Sequence, residues 1–203
     1  MPYFLIIISY LIGSIPFGLL LGRLAGTDVR QHGSGNIGAT NVSRLLGKKL
    51  GALTLACDLF KGLLPMLIIA RLLEGQPRAE ILTLLAGMAA FLGHCWPVYL
   101  KFKGGKGVAT ALGIFLYLAP LNTLGAVIIF IVVVRLSGFV SLGSMAAAMS
   151  MPLVTWFTGY NAEVVSIAGT IALLIVIKHH DNISRLLKGE EKSWKKSANG
   201  KKD

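Results

Sequence analysis

The sequence predicts an all-α integral membrane protein, a polytopic bundle of about seven transmembrane helices with its amino terminus outside and its carboxyl terminus in the cytoplasm. Three observations carry this. The 203 residues are 54% hydrophobic and 14% charged, with a mean hydropathy of +0.70, too apolar for a water-soluble domain of this length. Residues 118–134 and 164–177 contain no Asp, Glu, Lys or Arg, so each run crosses most of a bilayer as helix. The runs do not alternate apolar and polar residues, which argues against a β-barrel.

At about 1.5 Å rise per residue and a core roughly 30 Å thick, the expected spans lie near 3–25, 51–73, 80–98, 107–119, 121–136, 139–157 and 162–178. The first has no basic region ahead of it and its apolar run continues past Gly13 and Pro16, which reads as a retained span, not a cleaved leader. In it Ser14, Gly18, Gly22 and Gly26 recur every four residues, a small face suited to close helix approach. The second carries Asp58 and Lys61 at i, i+3, which a membrane segment keeps where they pair or face a polar cavity; mutual pairing is the simpler reading. The third ends on His94 and Trp96, either interfacial anchors or part of a site wall. Pro120 separates the fourth from the fifth, and without that break residues 108–134 would be one long kinked helix. Residues 1–187 are expected to form a single helical domain, and 188–203 a basic tail held to anionic headgroups by its lysines.

The formal charge of +11, from 20 Lys and Arg against 9 Asp and Glu, speaks of topology before nucleic acid, and no nucleic-acid partner is expected. Seven spans place Arg30, Arg44, Lys48, Lys49, Lys101, Lys103, Lys106, Arg135 and the tail on one side, leaving chiefly Arg71 and Arg78 on the other. The positive-inside bias makes the first side cytoplasmic. Cys57 and Cys95 lie in separate apolar segments without metal-ligand spacing, so neither a disulfide nor a zinc site is expected.

Three polar clusters fall on that basic side. Residues 33–44 contain Gly33-x-Gly35-x-x-Gly38, but this follows a membrane span, not a β-strand, and so is no dinucleotide fingerprint. It reads as a ligand cradle: Gly33 and Gly35 admit close backbone approach, Ser34, Asn36, Thr40 and Asn41 offer hydroxyl and amide groups, and Arg44 supplies a fork for phosphate. The second cluster, Lys103-Gly104-Gly105-Lys106-Gly107, precedes a helix. It lacks the spacing of a Walker A loop, yet successive glycine amides at a helix N-terminus make an anion nest to which the lysines add charge. In the third, residues 178–191, His179 and Asn182 share a helical face, and Ile183, Leu186 and Leu187 form an apolar stripe. His179, His180 and Asp181 are adjacent, so their side chains diverge by about 100° on a helix; no metal or other cofactor is expected.

Such a set of amides, Arg, Lys, His, Asn and Ser binds phosphate-bearing molecules. With few carboxylates it has little with which to build the metal-dependent phosphotransfer that paired aspartates support. A site at the membrane boundary takes one substrate from water and one from the acyl layer, which points to lipid synthesis. The alternative is a transporter of a phosphorylated metabolite, but transporters commonly bind near the bilayer midplane and often carry internal repeats. Here the clusters lie at helix ends and no convincing repeat is seen.

The chain resembles the bacterial acyl-phosphate-dependent glycerol-3-phosphate acyltransferases, the PlsY family. The resemblance lies in Gly33-Ser34-Gly35-Asn36 through Asn41-Val42-x-Arg44, in Phe102-Lys103-Gly104-Gly105-Lys106-Gly107, and in His179-x-x-Asn182-Ile183-x-Arg185-Leu186-Leu187-x-Gly189-x-Glu191; Asp58-x-x-Lys61-Gly62 and Gly93-His94 also look familial. It implies transfer of a fatty acyl group from acyl-phosphate to the 1-hydroxyl of glycerol 3-phosphate, giving lysophosphatidic acid and phosphate in phospholipid synthesis. The expected partners are the two substrates and membrane lipids, with no obligate protein partner, and the expected location is the bacterial inner membrane with the active site facing the cytoplasm. By motif position Ser34, Arg44, His179 and Asn182 carry over as catalytic, Gly104 to Gly107 as the glycerol 3-phosphate phosphate site, and Glu191 as structural; Asp58, Lys61 and His94 stand as secondary. The residues alone leave open which substrate's phosphate the loop holds. They also leave open whether His179, ordinarily near pKa 6.5, or a substrate phosphate, with a second pKa of about 6, takes the proton.

Overall fold

The computed structural model describes residues 3–194, which are helical without any strand among them. They group into two compact units that meet in sequence at Leu118 and Ala119. The boundary falls at the Pro120 break: Ala119 sits at φ −148°, ψ 67°, outside the helical region, so residues 108–134 are two helices. The tail lysines Lys195, Lys196, Lys201 and Lys202 lie outside the described residues.

In the first unit the opening apolar segment is an interrupted helix, α1 (Phe4–Ser14) and α2 (Phe17–Leu24). Pro16 lacks an N–H and pushes its predecessor out of the helical region, and Ile15 is accordingly extended at ψ 117°. A short amphipathic α3 (Ala39–Leu46) turns through Gly47 into the long α4 (Lys48–Leu72). α5 (Ala79–Cys95) packs on α1 and α4, and α6 (Val108–Leu118) packs on α4. The stripe Ser14, Gly18, Gly22 and Gly26 serves the expected helix packing only in part: Ser14 lies against Gly93 of α5, and Gly26 has open space around it. A methyl on Gly18 would collide with the Ile37 carbonyl, and one on Gly22 would press on Val29 and Thr27, so this face admits the backbone of the polar loop beside it.

The loop is anchored by burial. Leu19, Val29, Ile37 and Val42 form a core cluster, joined by Leu45, Leu46, Leu50 and Leu100. Val29 and Val42 are fully shielded, each contributing about 1.5–3 kcal/mol over an exposed side chain. Because Leu100 precedes the Lys103–Gly107 stretch, one cluster seats both the first and the second polar segment.

The second unit is a helical hairpin series: α7 (Pro120–Ser137), α8 (Val140–Phe157), α9 (Ala162–Lys178) and α10 (His180–Leu187). Pro120 occupies the first turn of α7, where its missing N–H costs nothing. Asn161 caps α9 by accepting the Val164 N–H at 3.0 Å. α9 and α10 are bent by 57° at His179.

All seven expected spans coincide with helix. Five segments are long and apolar enough to cross a bilayer: Phe4–Leu24, Lys48–Leu72, Ala79–Leu100, Pro120–Ser137 and Val140–Phe157; the bent α9–α10 pair would be a sixth. α6, with 11 residues, reaches about 16 Å, roughly half the hydrocarbon core. Ile7, Ile68, Ile128, Leu153 and Leu173 are each more than half exposed, apolar surface that lipid covers. The protein is an integral membrane protein of helical type.

Candidate active site

The loop between α2 and α3 has no regular hydrogen-bonding pattern, so side chains must satisfy its backbone. Asn41, 1% exposed on α3, does most of this. Its Nδ2 donates to the carbonyls of Val29 (2.9 Å), His32 (3.2 Å) and Asn36 (2.9 Å), and its Oδ1 accepts the Ser34 N–H at 2.9 Å. Gly33, at φ 67°, lies so close to Asn41 Oδ1 that a Cβ would collide with it. Asn36 Oδ1 accepts the Gly38 N–H at 2.8 Å and closes the entry to α3. Ser34, Gly35 and Thr40 are left exposed, and Arg44 is half-buried on α3. A two-bond clip from Arg30 to Asp28, at 2.9 and 2.6 Å, closes the preceding turn. That hydrogen bonding holds the Asp28 carboxyl well below the usual carboxylate range and raises Arg30.

The second segment leaves α5 through a tight turn. Lys101 (φ 50°) and Phe102 (φ 63°) are both left-handed without being glycine, a strained pair held by the Phe102 N–H to the Pro97 carbonyl at 3.0 Å and the Lys103 N–H to the Leu100 carbonyl at 3.1 Å. The Gly105 N–H donates to the His94 carbonyl at 3.0 Å. A methyl on Gly104 would strike that same carbonyl, and one on Gly105 would strike His94 Nε2. Lys103 is exposed and Lys106 half-buried, and Gly107 (φ 79°) leads directly into α6. The hydroxyl of Thr110, in the first turn of α6, is buried with no hydrogen-bond partner among the described residues.

In the second unit the third cluster is built around Glu191. Its Oε1 accepts from Asn182 Nδ2 (2.6 Å) and Ser141 Oγ (2.7 Å), and its Oε2 from Arg185 Nε (2.7 Å); the side chain is 6% exposed. Burial by itself would raise this carboxyl, but the three hydrogen bonds to the ionised form together outweigh it, and Glu191 lies below its ordinary value. His179, 2% exposed, places Nδ1 2.7 Å from the Ile175 carbonyl. A carbonyl oxygen only accepts, so Nδ1 carries the proton, and in the neutral ring Nε2 holds the lone pair. Trp194 is fastened to the α7–α8 turn, its N–H reaching the Gly138 carbonyl at 3.0 Å and Nε1 the Val134 carbonyl at 3.2 Å.

Two site residues have partners the sequence does not announce. Asn41 directs both ends of its amide to the loop. Gly105 is a glycine because His94 lies against it, and its amide donates to the His94 carbonyl. Residues 188–194, expected as the start of a basic tail, are tied to α7, α8 and α10 through Glu191 and Trp194. Asp58 and Lys61 pair at 2.8 Å with both side chains almost fully buried, as expected. Sequence reasoning missed Ser141, whose partner is 50 residues away, and the Asp28–Arg30 clip, for which the i, i+2 spacing of opposite charges was an available signal.

Three comparisons bear on this arrangement. The family model described as glycerol-3-phosphate acyltransferase matches residues 3–189. Among curated relatives, the glycerol-3-phosphate acyltransferase of Desulfotalea psychrophila is 54% identical over 196 residues, 97% of this chain and 100% of that one; that of Trichlorobacter lovleyi is 52% identical over 92% of this chain and 94% of its own. Among solved structures, PlsY, an integral membrane glycerol 3-phosphate acyltransferase, matches in its glycerol 3-phosphate form with a TM-score of 0.88 and in its lysophosphatidic acid form with 0.86. Both are 41% identical; they cover 95% and 94% of this chain, and 94% of their own.

Proposed function

The chain belongs to the glycerol-3-phosphate acyltransferase family, and from that premise we propose that its acyl donor is an acyl-phosphate and its acceptor the sn-1 hydroxyl of glycerol 3-phosphate. The products are lysophosphatidic acid and inorganic phosphate. The observation that carries the reading is the donor-rich character of its polar segments: exposed Ser34, Thr40 and Lys103 and half-buried Arg44 and Lys106 supply hydroxyls and cations without a carboxylate pair among them. An acyl-phosphate suits such a set, because it is already activated and leaves as an anion that cations hold.

The acceptor hydroxyl oxygen bonds to the acyl carbon, the bond from that carbon to the phosphate oxygen breaks, and the hydroxyl proton passes to a base. Ser34 orients a reacting oxygen from a loop whose shape Asn41 fixes, and orientation of this kind is worth several orders of magnitude in rate. Arg44 and the lysines clamp phosphates, with the loop 104–107 assigned to glycerol 3-phosphate. Asn182, held by Glu191, presents its amide to a reacting group. The base is His179 Nε2 or a substrate phosphate. Basic residues around these segments favour placing the reaction at the cytoplasmic face of the bacterial inner membrane.

The test incubates purified protein with glycerol 3-phosphate and either acyl-phosphate or acyl-CoA, and follows lysophosphatidic acid. Product from acyl-phosphate alone is expected; product from acyl-CoA alone would overturn the donor assignment. Within that assay His179→Gln separates the bases. Loss of about a hundredfold or more in kcat identifies His179, in line with the usual worth of a general base, and near-wild-type turnover identifies the phosphate.

A further inference from the structure

Beneath the second polar segment lies a buried charged network that the proposed reaction does not use. Lys61 Nζ, on α4, contacts three groups: Asp58 Oδ1 at 2.8 Å, the carbonyl of Ile15 at 3.0 Å, and the ring of Phe17, whose centroid is 5.7 Å away. Ile15 and Phe17 flank Pro16, so the lysine satisfies a carbonyl at the break in the first span and fixes that break. Asp58 Oδ1 also faces His94 Nδ1 on α5 at 3.7 Å. The side chains of Asp58, Lys61 and His94 are each no more than 4% exposed.

His94 is the exit of this network. One edge of its imidazole faces Asp58, and the opposite edge lies against the Cα of Gly105 closely enough that any side chain there would collide with Nε2. Its carbonyl takes the Gly105 N–H and crowds Gly104. The ring therefore forms the floor on which the glycine segment rests, while its Nδ1 faces the Asp58 carboxylate at 3.7 Å, an electrostatic contact longer than a hydrogen bond.

We propose that Asp58, Lys61 and His94 are positioning residues for phosphate binding: the buried ion pair holds the His94 ring, and the ring shapes the 104–107 loop. This rests on the assignment of that loop to a substrate phosphate. A purely structural role, tying α1, α4 and α5 together, is the competing account. The two differ in what they do to substrate affinity once stability is restored.

Lys106→Ala first identifies the substrate whose phosphate the loop holds, by raising the KM for that substrate alone. Asp58→Asn combined with Lys61→Met removes both charges without leaving either buried and unpaired, at the cost of the bond to the Ile15 carbonyl, and detergent melting checks that the variant is folded. In this double variant and in His94→Leu, the KM for the same substrate is expected to rise about tenfold or more, with the KM for the other substrate and kcat within about threefold, since misplacing a binding group by about an ångström has effects of that order. Melting in detergent reports stability separately, and if His94→Leu does not fold the double variant decides. If Lys106→Ala moves one KM and the double variant, though folded, does not, the positioning role is overturned and the loop assignment stands. If Lys106→Ala moves neither, the loop assignment falls and this inference falls with it.

Discussion

In the first unit a neutral amide, Asn41, holds Ser34 in place by bonding four backbone groups between Val29 and Asn36. In the second a carboxylate, Glu191, holds Asn182 in place by bonding three side chains on α8 and α10. The difference follows from what each residue has to satisfy. Ser34 sits on a loop whose main-chain groups have no helical partners, and a side-chain amide offers two N–H donors and an acceptor oxygen to satisfy both kinds. Asn182 sits on a helix whose backbone is already satisfied, so only its side-chain orientation needs fixing. A carboxylate serves there because every group around it is a donor.

The largest effect is expected where main-chain shape depends on one side chain. Asn41→Asp keeps an acceptor for the Ser34 N–H but removes the donors to three carbonyls and sets a negative charge among them. We expect kcat/KM to fall about a hundredfold or more, roughly 2.7 kcal/mol of transition-state stabilisation, with faster amide exchange across residues 29–36. An Asn41→Asp enzyme of wild-type activity would remove the amide hub from the account of Ser34.

A smaller effect, with a pH signature that Asn41 cannot give, is expected at Glu191. Glu191→Gln retains an acceptor for Asn182 and Ser141 but turns a donor toward Arg185, and kcat is expected to fall about tenfold. The folded pKa of Glu191 lies below its ordinary value of 4.5. Its stabilising contribution is therefore complete above that value and is lost as pH falls below it toward the lowered folded pKa. Wild-type melting temperature in detergent should decline through this acid window, and Glu191→Gln should show a shallower decline. Equal slopes would mean that other carboxylates, not this clamp, set the acid limit.

Much of this architecture was legible in the sequence because apolar runs and motif residues are local signals. The helices within the expected apolar spans followed from hydropathy, and the break at Pro120 followed from the missing N–H of proline. Ser34, Arg44, His179 and Asn182 could be proposed from chemistry and motif alone. What was hidden depends on contacts distant in sequence. The glycine at 105 reads as a phosphate-nest residue until His94 is seen against it. Gly18 reads as helix packing until the Ile37 carbonyl is seen above it, and nothing near Ser141 announces a carboxylate 50 residues later. Asn41 lay within a recognised motif, but whether an asparagine faces ligand or backbone is decided by burial.

Ser141 offers the smallest perturbation and the finest test of the comparison. Ser141→Ala leaves Glu191 its bonds to Asn182 and Arg185 and removes one donor from α8, a loss of about 0.5–1.5 kcal/mol for a single hydrogen bond. Turnover at neutral pH is expected to stay within about threefold, because Asn182 and Arg185 retain their partner. The carboxylate nevertheless loses one of the bonds that favour its ionised form, so its pKa moves up toward 4.5 and the acid decline in melting begins at higher pH than in the wild type. An acid limit that does not move would mean that Asn182 and Arg185 alone hold the carboxylate, leaving the bond from α8 without part in the clamp.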